Sequence, residues 1–281
     1  MLSEGVHSLV DAGTELVLLY ALAASQRPPS QRHQLGSGRE LFFWNFVVAL
    51  LILALGAGVA LLDGVRQVLS PRPVDTSVLS YGVLVAALGV ELVTWLAALK
   101  RANLLKGERT LWAFLRQTRD ATTLTLLLGG AASIAGVVIA AMGMLAADEL
   151  RWPGADGVAS AGIAGILAVT AFVLAYESKE LLVGVSADPA VVHSILKVAA
   201  DDPSIERING SLTVHLAPDQ ILVALSVAFR PDLTTRELEQ AIGALEARLK
   251  LAHREIVALF VEPQSPERFA ILHPGNSAVR T

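Results

Sequence analysis

Five stretches of this chain are long and apolar enough to cross a lipid bilayer, and nothing else in the sequence restricts its fold as much. A bilayer core about 30 Å thick takes about 20 residues of helix. In hydrocarbon, only a helix or a closed barrel satisfies its own backbone polar groups. The stretches run roughly Ser3–Ala24, Phe43–Leu69, Ser77–Leu99, Thr122–Ala147 and Gly157–Tyr176. Composition agrees, because 53% hydrophobic against 17% charged residues, with a mean hydropathy of +0.56, is too apolar for an ordinary soluble domain. The chain reads as an integral membrane protein.

The connections between these stretches differ in charge. Ser25–Glu40 holds Arg27, Arg32 and Arg39, and Lys100–Arg119 holds Lys100, Arg101, Lys106, Arg109, Arg116 and Arg119. The alternate connections are poorer in base, with Arg66 and Arg72 in one and Arg151, flanked by Asp148 and Glu149, in the other. Basic loops stay in the cytoplasm, which places the first two connections and the C-terminal region there. A cytoplasmic C-terminal region goes more naturally with an even number of spans, so the reading expects one N-terminal span to be absent, through a misplaced start or a true loss. The first apolar segment carries His7, Asp11 and Glu15 and has no basic leader before it, so it does not read as a signal peptide. Net charge −4 and a pI near 5.9 give no footprint for nucleic acid.

From Ala187 the composition turns soluble. Asp188-Pro189 reads as an N-cap with proline at the first helical position, opening a helix to about Ala200. Ser211–His215 and Ile221–Phe229 read as strands around the turn Ala217-Pro218-Asp219-Gln220. Thr234 with Glu237 forms a capping box for a helix over Thr235–Leu251, and Glu255–Val261 reads as a last strand. The order helix, strand, strand, helix, strand predicts a small α+β domain of ferredoxin-like type. The expected divisions are a membrane domain at 1–184, an α+β domain at 185–263 and a disordered tail at 264–281.

Ionisable side chains inside the apolar stretches are the functional candidates, since each costs about 2.5 to 3.5 kcal/mol on insertion scales. His7 and Asp11 stand four residues apart at helical spacing, so an imidazole and a carboxylate share one face and can close on one cation. Glu15 continues the stripe, and Glu91 sits in the middle of the third stretch. The competing reading for each is an interhelical pair or a vestibule group. Thr122, Thr125 and Ser133 offer hydroxyls, although back-bonding to the helix is commoner. Gly129, Gly130, Gly136 and the neighbouring alanines fit close helix packing. His193, His253 and His273 read as solvent-facing, and Asp63 and Glu177 as helix-end charges. No cysteine excludes thiolate sites, and three methionines argue against Cu(I), leaving Zn²⁺, Mn²⁺, Fe²⁺ or Co²⁺ for a site of imidazole and carboxylate. No nucleophile–base set or phosphate loop suggests an enzyme.

Several motifs in order carry a family resemblance. They are Glu4-Gly5-Val6-His7-Ser8-Leu9-Val10-Asp11, then His33-Gln34-Leu35-Gly36-Ser37-Gly38-Arg39-Glu40 with Phe43-Trp44, then Arg119-Asp120-Ala121-Thr122-Thr123, and Tyr176 to Gly184. With the small C-terminal domain, the chain resembles the cation diffusion facilitator (cation efflux) family, most closely its zinc-transporter-nine-like branch. The resemblance implies that the first helix here is the family's second span. It implies a tetrahedral transport site with His7 and Asp11 as two ligands and two more from the fifth family span, Thr122–Ala147 here. The implied positions there are Leu126 and the pair Gly129-Gly130, none of which has a ligating side chain. His33, with Ser37 beside it, falls at a secondary metal position, and His215 and Glu262 fall at thin matches in the C-terminal domain. The implied activity is efflux of a divalent cation, zinc first, in exchange for protons, by a homodimer in the cell (inner) membrane. The alternative is a transport-incompetent subunit pairing with a complete paralogue.

Overall fold

The structure, a computed structural model, describes residues 2–70, 78–107, 110–117, 120–149, 152 and 154–272, with backbone alone for 2–12, 78–80, 112, 116–117 and 121. It divides into two compact units, Met1–Gln26 with Glu40–Glu180, and Arg27–Arg39 with Leu181–Thr281. The break expected between 184 and 185 thus falls at Glu180, and the segment between the first two helices goes with the second unit.

Among the described residues, the regular structure of the first unit is all helix. α1 covers Leu2–Ser25. α2 (Glu40–Leu51) continues through a π-helical segment, Ile52–Ala57, into α3 (Gly58–Leu69). After these come α4 (Val78–Leu105), the short α5 (Leu111–Gln117), α6 (Ala121–Glu149) and α7 (Ala155–Val183). Among the described residues, four helices are long and apolar enough to cross a membrane: Glu40–Leu69, Tyr81–Leu105, Thr122–Glu149 and Ala155–Val183. They coincide with the last four expected stretches. Of the first, the described apolar part is Gly13–Ser25. The helices outrun their apolar stretches: α7 passes Tyr176 and takes in Glu177, Lys179 and Glu180 before ending at Val183. Backbone hydrogen bonding carries a helix beyond the point where hydropathy stops marking it.

Small residues set the crossings within this unit. A Cβ on Gly64 would stand 2.9 Å from the Ala161 nitrogen and the Gly157 oxygen, so α3 and α7 meet backbone to backbone. A Cβ on Gly143 would fall 2.5 Å from that of Ala159, bringing α6 equally close to α7. Outward, Val85, Val93 and Phe172 present an apolar surface, as lipid requires.

The second unit follows the expected order: α8 (Pro189–Ala200), β1 (Ile205–Ala217), β2 (Gln220–Phe229), α9 (Thr235–Ala252) and β3 (Ile256–Pro263). Asp188 caps α8 by accepting the Ala190 N–H at 2.8 Å. The sheet order is β1-β2-β3, antiparallel across the Pro218-Asp219 turn and parallel across α9. Alternate β2 residues Val223, Leu225 and Val227 bury against Ile195, Ala199, Leu245 and Leu249, which is the core. On the other face, Leu212, Ala224 and Phe260 form one row across the three strands, with Leu212 and Phe260 about 60% exposed.

Three expectations change here. β1 starts at Ile205 rather than Ser211, because register shifts around Asn209 break the alternation that would have marked it. The tail expected to be disordered forms a further helix, α10 (Pro266–Leu272), on the N-terminal signal Ser265-Pro266-Glu267. Its Phe269 ring lies over Gly210, where a Cβ would come within 2.7 Å of the ring. Residues 273–281, with His273, lie outside the described residues. His253 is not solvent-facing: its Nε2 pairs with Ser194 Oγ at 2.9 Å and its Nδ1 lies 3.4 Å from Glu255. His193 is exposed.

The capping box is formed, with Thr234 Oγ1 accepting the Glu237 N–H at 3.3 Å and Glu237 Oε2 accepting the Thr234 N–H at 2.8 Å. Thr234→Ala is expected to cost about 1 kcal/mol in denaturant unfolding of this unit. The Thr234 hydroxyl, and then its backbone N–H, hold the Glu237 carboxyl below the usual carboxylate range. That contribution is complete above the unfolded carboxylate value and fades as pH falls through the lower folded one.

Candidate functional site

The site grows from the polar residues that the first unit turns inward. A cavity of about 100 Å³ lies among α1, the α2–α3 helix, α4, α6 and α7. That is room for a cation and some of its water. α1 contributes Thr14, Glu15 and Leu18, and α4 contributes Glu91, Thr94 and Trp95. α6 brings Thr125, Leu126, Gly129, Gly130 and Ser133, and α7 brings Thr170. Val48, Ile52 and Gly56 line it from the second membrane helix, the last two within the π-helical segment. Such segments are rare and frequent at functional sites.

The lining carries two carboxylates, Glu15 and Glu91, and no basic side chain among its described residues. A cleft of one sign in low-dielectric surroundings focuses its field and concentrates counter-ions. The described carboxylate and hydroxyl side chains of the lining offer oxygen atoms. Thr94 spends its hydroxyl proton on its own helix, 3.1 Å from the Val90 carbonyl and 3.0 Å from that of Glu91. Thr125 Oγ1 donates to Asn45 Oδ1 at 3.1 Å.

The predicted residues divide as follows. Glu15 and Glu91 both reach the cavity. The side chains of His7 and Asp11 lie outside the described residues, and their backbone is helical within α1. At about 100° per residue, positions 7, 11, 14, 15 and 18 fall on one stripe, the stripe that supplies Thr14, Glu15 and Leu18 to the cavity. Leu126, Gly129 and Gly130 line the cavity as the resemblance implies, without offering a ligand. Trp95 fills the space beside Gly130: a Cβ there would meet Trp95 Cδ1 at 2.9 Å, and the indole N–H donates to the Leu127 carbonyl at 3.1 Å.

His33 belongs to the other unit and sits exposed in a turn closed by its carbonyl, which accepts the Ser30 and Gly36 N–H groups at 3.0 Å. His215 and Glu262 are apart: His215 registers with Ile221 and Ile256 at one end of the sheet, and Glu262 with Ser226 and Gly210 at the other. No group of three or more histidine or acidic residues that could hold a metal stands among the described residues. Sequence reasoning missed Asn45, Thr94, Trp95 and Thr170. A lone asparagine in the run Phe42-Phe43-Trp44-Asn45-Phe46-Val47-Val48 was the available signal, since a side-chain amide in an apolar helix needs partners.

Comparison with known proteins bears on this geometry. A family model, the cation efflux transmembrane domain, matches residues 1–183. The chain is 28% identical over 239 residues to the mouse proton-coupled zinc antiporter SLC30A9, mitochondrial, covering 84% of this chain and 42% of that protein. The human protein of the same name is 27% identical over 238 residues, with the same coverage. Metal tolerance protein C4 of Arabidopsis thaliana is 22% identical over 249 residues, 88% of this chain and 54% of that one. The chain thus spans about half the length of the curated relatives it matches.

Proposed function

Since this chain belongs to the cation efflux family, we propose that it moves a divalent cation, zinc first, across a membrane in exchange for protons. The observation that carries this reading is the inward cavity with Glu15 and Glu91 and no described basic side chain on its wall. The names of the relatives, zinc antiporter and metal tolerance protein, support the same cargo. Mn²⁺, Fe²⁺ and Co²⁺ suit the same donors and are secondary cargoes.

In this reading α1 is a fifth crossing, His7 and Asp11 hold the ion from α1, and Glu91 supplies from α4 a charge that α6 lacks. Glu15 sits one turn along as an entry group. Coupling follows from linkage: imidazole and carboxylates bind a cation only when deprotonated, so loading releases protons and protonation expels the ion. An imidazole titrates near neutral pH, which makes His7 the coupling group. The α+β unit is a ferredoxin-like sheet lacking one strand, which lets β2 and β3 pair directly in parallel. It faces the cytoplasm and pairs with a second copy through the open apolar row at Leu212 and Phe260. The membrane is the cell membrane, although the SLC30A9 relatives are named mitochondrial.

The second reading, a transport-incompetent partner subunit, draws on Leu126 and Gly130, cavity positions without a ligand. Proteoliposomes separate the two. Transport predicts Zn²⁺ uptake that accelerates when the lumen starts more acidic than the bath and that alkalinises the lumen in step, because protons leave as the ion enters. Purified protein that gives neither Zn²⁺ flux nor proton movement at any gradient would leave only the subunit reading.

A further inference from the structure

The second membrane helix is built in two halves that are pinned to different partners. Upstream, the buried Asn45 of α2 donates to Thr122 Oγ1 of α6 at 3.4 Å and accepts from Thr125 Oγ1 at 3.1 Å. Ala49, one turn on, packs with Leu124 of α6 and Leu174 of α7. Downstream, α3 meets the backbone of α7: a Cβ on Gly157 would fall 2.9 Å from the Gly64 oxygen and 2.9 Å from the Val68 nitrogen. Contacts this close hold α3 in its rotation, because turning it by one residue would drive a side chain into backbone. Between the two fixed ends lies the π-helical segment Ile52–Ala57, where the Gly58 N–H reaches back to the Leu53 carbonyl.

A π turn holds one residue more than the α turn it replaces. With both ends pinned, that surplus residue cannot leave the helix, yet it can pass along it as N–H groups exchange one carbonyl for its neighbour. No backbone group is stranded in hydrocarbon on the way. Each residue that the surplus passes turns by about 100° around the axis. Beyond the surplus, a residue holds the angular place that its predecessor would have in an unbroken α-helix. Gly56 lines the cavity, whereas Leu55 stands outside the lining and is 45% exposed. We propose that during transport the surplus residue migrates toward α3, which carries Leu55 into the place Gly56 holds and closes the cavity from this side. This rests on the transport reading and adds to it a gate worked by helix register. An isobutyl group then stands where a hydrogen stood, in a space of about 100 Å³, and shuts out the ion's water.

The chain contains no cysteine, so single thiols can be followed in the full-length protein. Leu55→Cys, Gly56→Cys and Leu61→Cys are reconstituted in proteoliposomes and labelled with a water-soluble methanethiosulfonate, with and without Zn²⁺. A Cβ at Gly56 would stand 3.4 Å from Leu167 Cδ1, an ordinary contact, so that variant is tolerated. Adding Zn²⁺ is expected to move the labelling rates at 55 and 56 in opposite directions, each by about fivefold or more, as one leaves the wall and the other enters. Leu61, on the pinned α3, should not respond. Capture of Zn²⁺ by the new thiols would slow both positions alike, so rates that move together, or a rate at 55 that does not move, overturn the proposal. Deleting the exposed Ala54 removes the surplus residue and keeps both ends in place. That variant should bind Zn²⁺ within about twofold of wild type by calorimetry and take it up about tenfold more slowly or worse, and undiminished uptake overturns the proposal. If the deletion variant fails to fold, the labelling decides alone. These failures leave the transport reading in place, whereas wild-type protein that moves no Zn²⁺ overturns that reading and this inference with it.

Discussion

Glu91→Gln is expected to cut Zn²⁺ uptake into proteoliposomes by on the order of 100-fold, while Glu15→Gln costs only severalfold. Glutamine keeps the volume and removes the charge, so the loss measures the carboxylate itself. A charge-assisted contact in a site shielded from water is worth about 1.5 to 3 kcal/mol, and each 1.4 kcal/mol is about a factor of ten. Glu91 is half-buried on the cavity wall, whereas Glu15 is exposed and in the transport reading serves at the entry, so it holds the ion less closely. His7→Ala and Asp11→Ala belong with Glu91→Gln in this ranking. Equal, small effects from Glu91→Gln and Glu15→Gln would show that α4 does not hold the ion, and the replacement of α6 ligands by Glu91 would be wrong.

Leu249→Ala is expected to destabilise the α+β unit by about 2 to 5 kcal/mol, through the lost transfer energy plus the cavity left behind. Leu249 is 0% exposed and packs with Leu245, Ile195 and β2, whereas Leu251, two residues on, is 81% exposed. Leu251→Ala should therefore be close to neutral. Hydrogen exchange of the α9 amides in the full-length protein reads both directly, since protection there reports the opening of this core. A fall of less than tenfold in Leu249→Ala would mean that the core repacks around the gap.

The sequence made the spans legible because each is a property of composition over about 20 residues, which no tertiary contact can hide. Capping signals worked for the same reason of locality: Asp188-Pro189 and Thr234 with Glu237 form their bonds within one turn. Where local pattern was broken, reading failed. Asn209 interrupts the alternation of β1, and Ser265-Pro266-Glu267 looked like a tail because α10 is short and its Phe269 finds a partner in Gly210, far away in the chain. The site divides similarly. Glu15 and Glu91 were visible as costly charges in apolar helices, and both line the cavity. Trp95 and Asn45 were not, because their parts depend on which helix lies across from them, Trp95 against Gly130 and Asn45 against Thr125.

The grouping of Arg27–Arg39 with Leu181–Thr281 bears on how the molecule can be cut and recombined. A Cβ on Gly38 would collide with the Ala217 side chain at 2.7 Å and the Leu216 oxygen at 2.8 Å, so this loop is fitted to the β1–β2 hairpin at van der Waals range. A chimera that grafts a relative's C-terminal half at Glu180 would carry only one surface of that joint and leave the other facing a stranger. Grafts that exchange the loop together with the hairpin keep the joint whole, and the connection between the first two helices travels with the distant end of the chain.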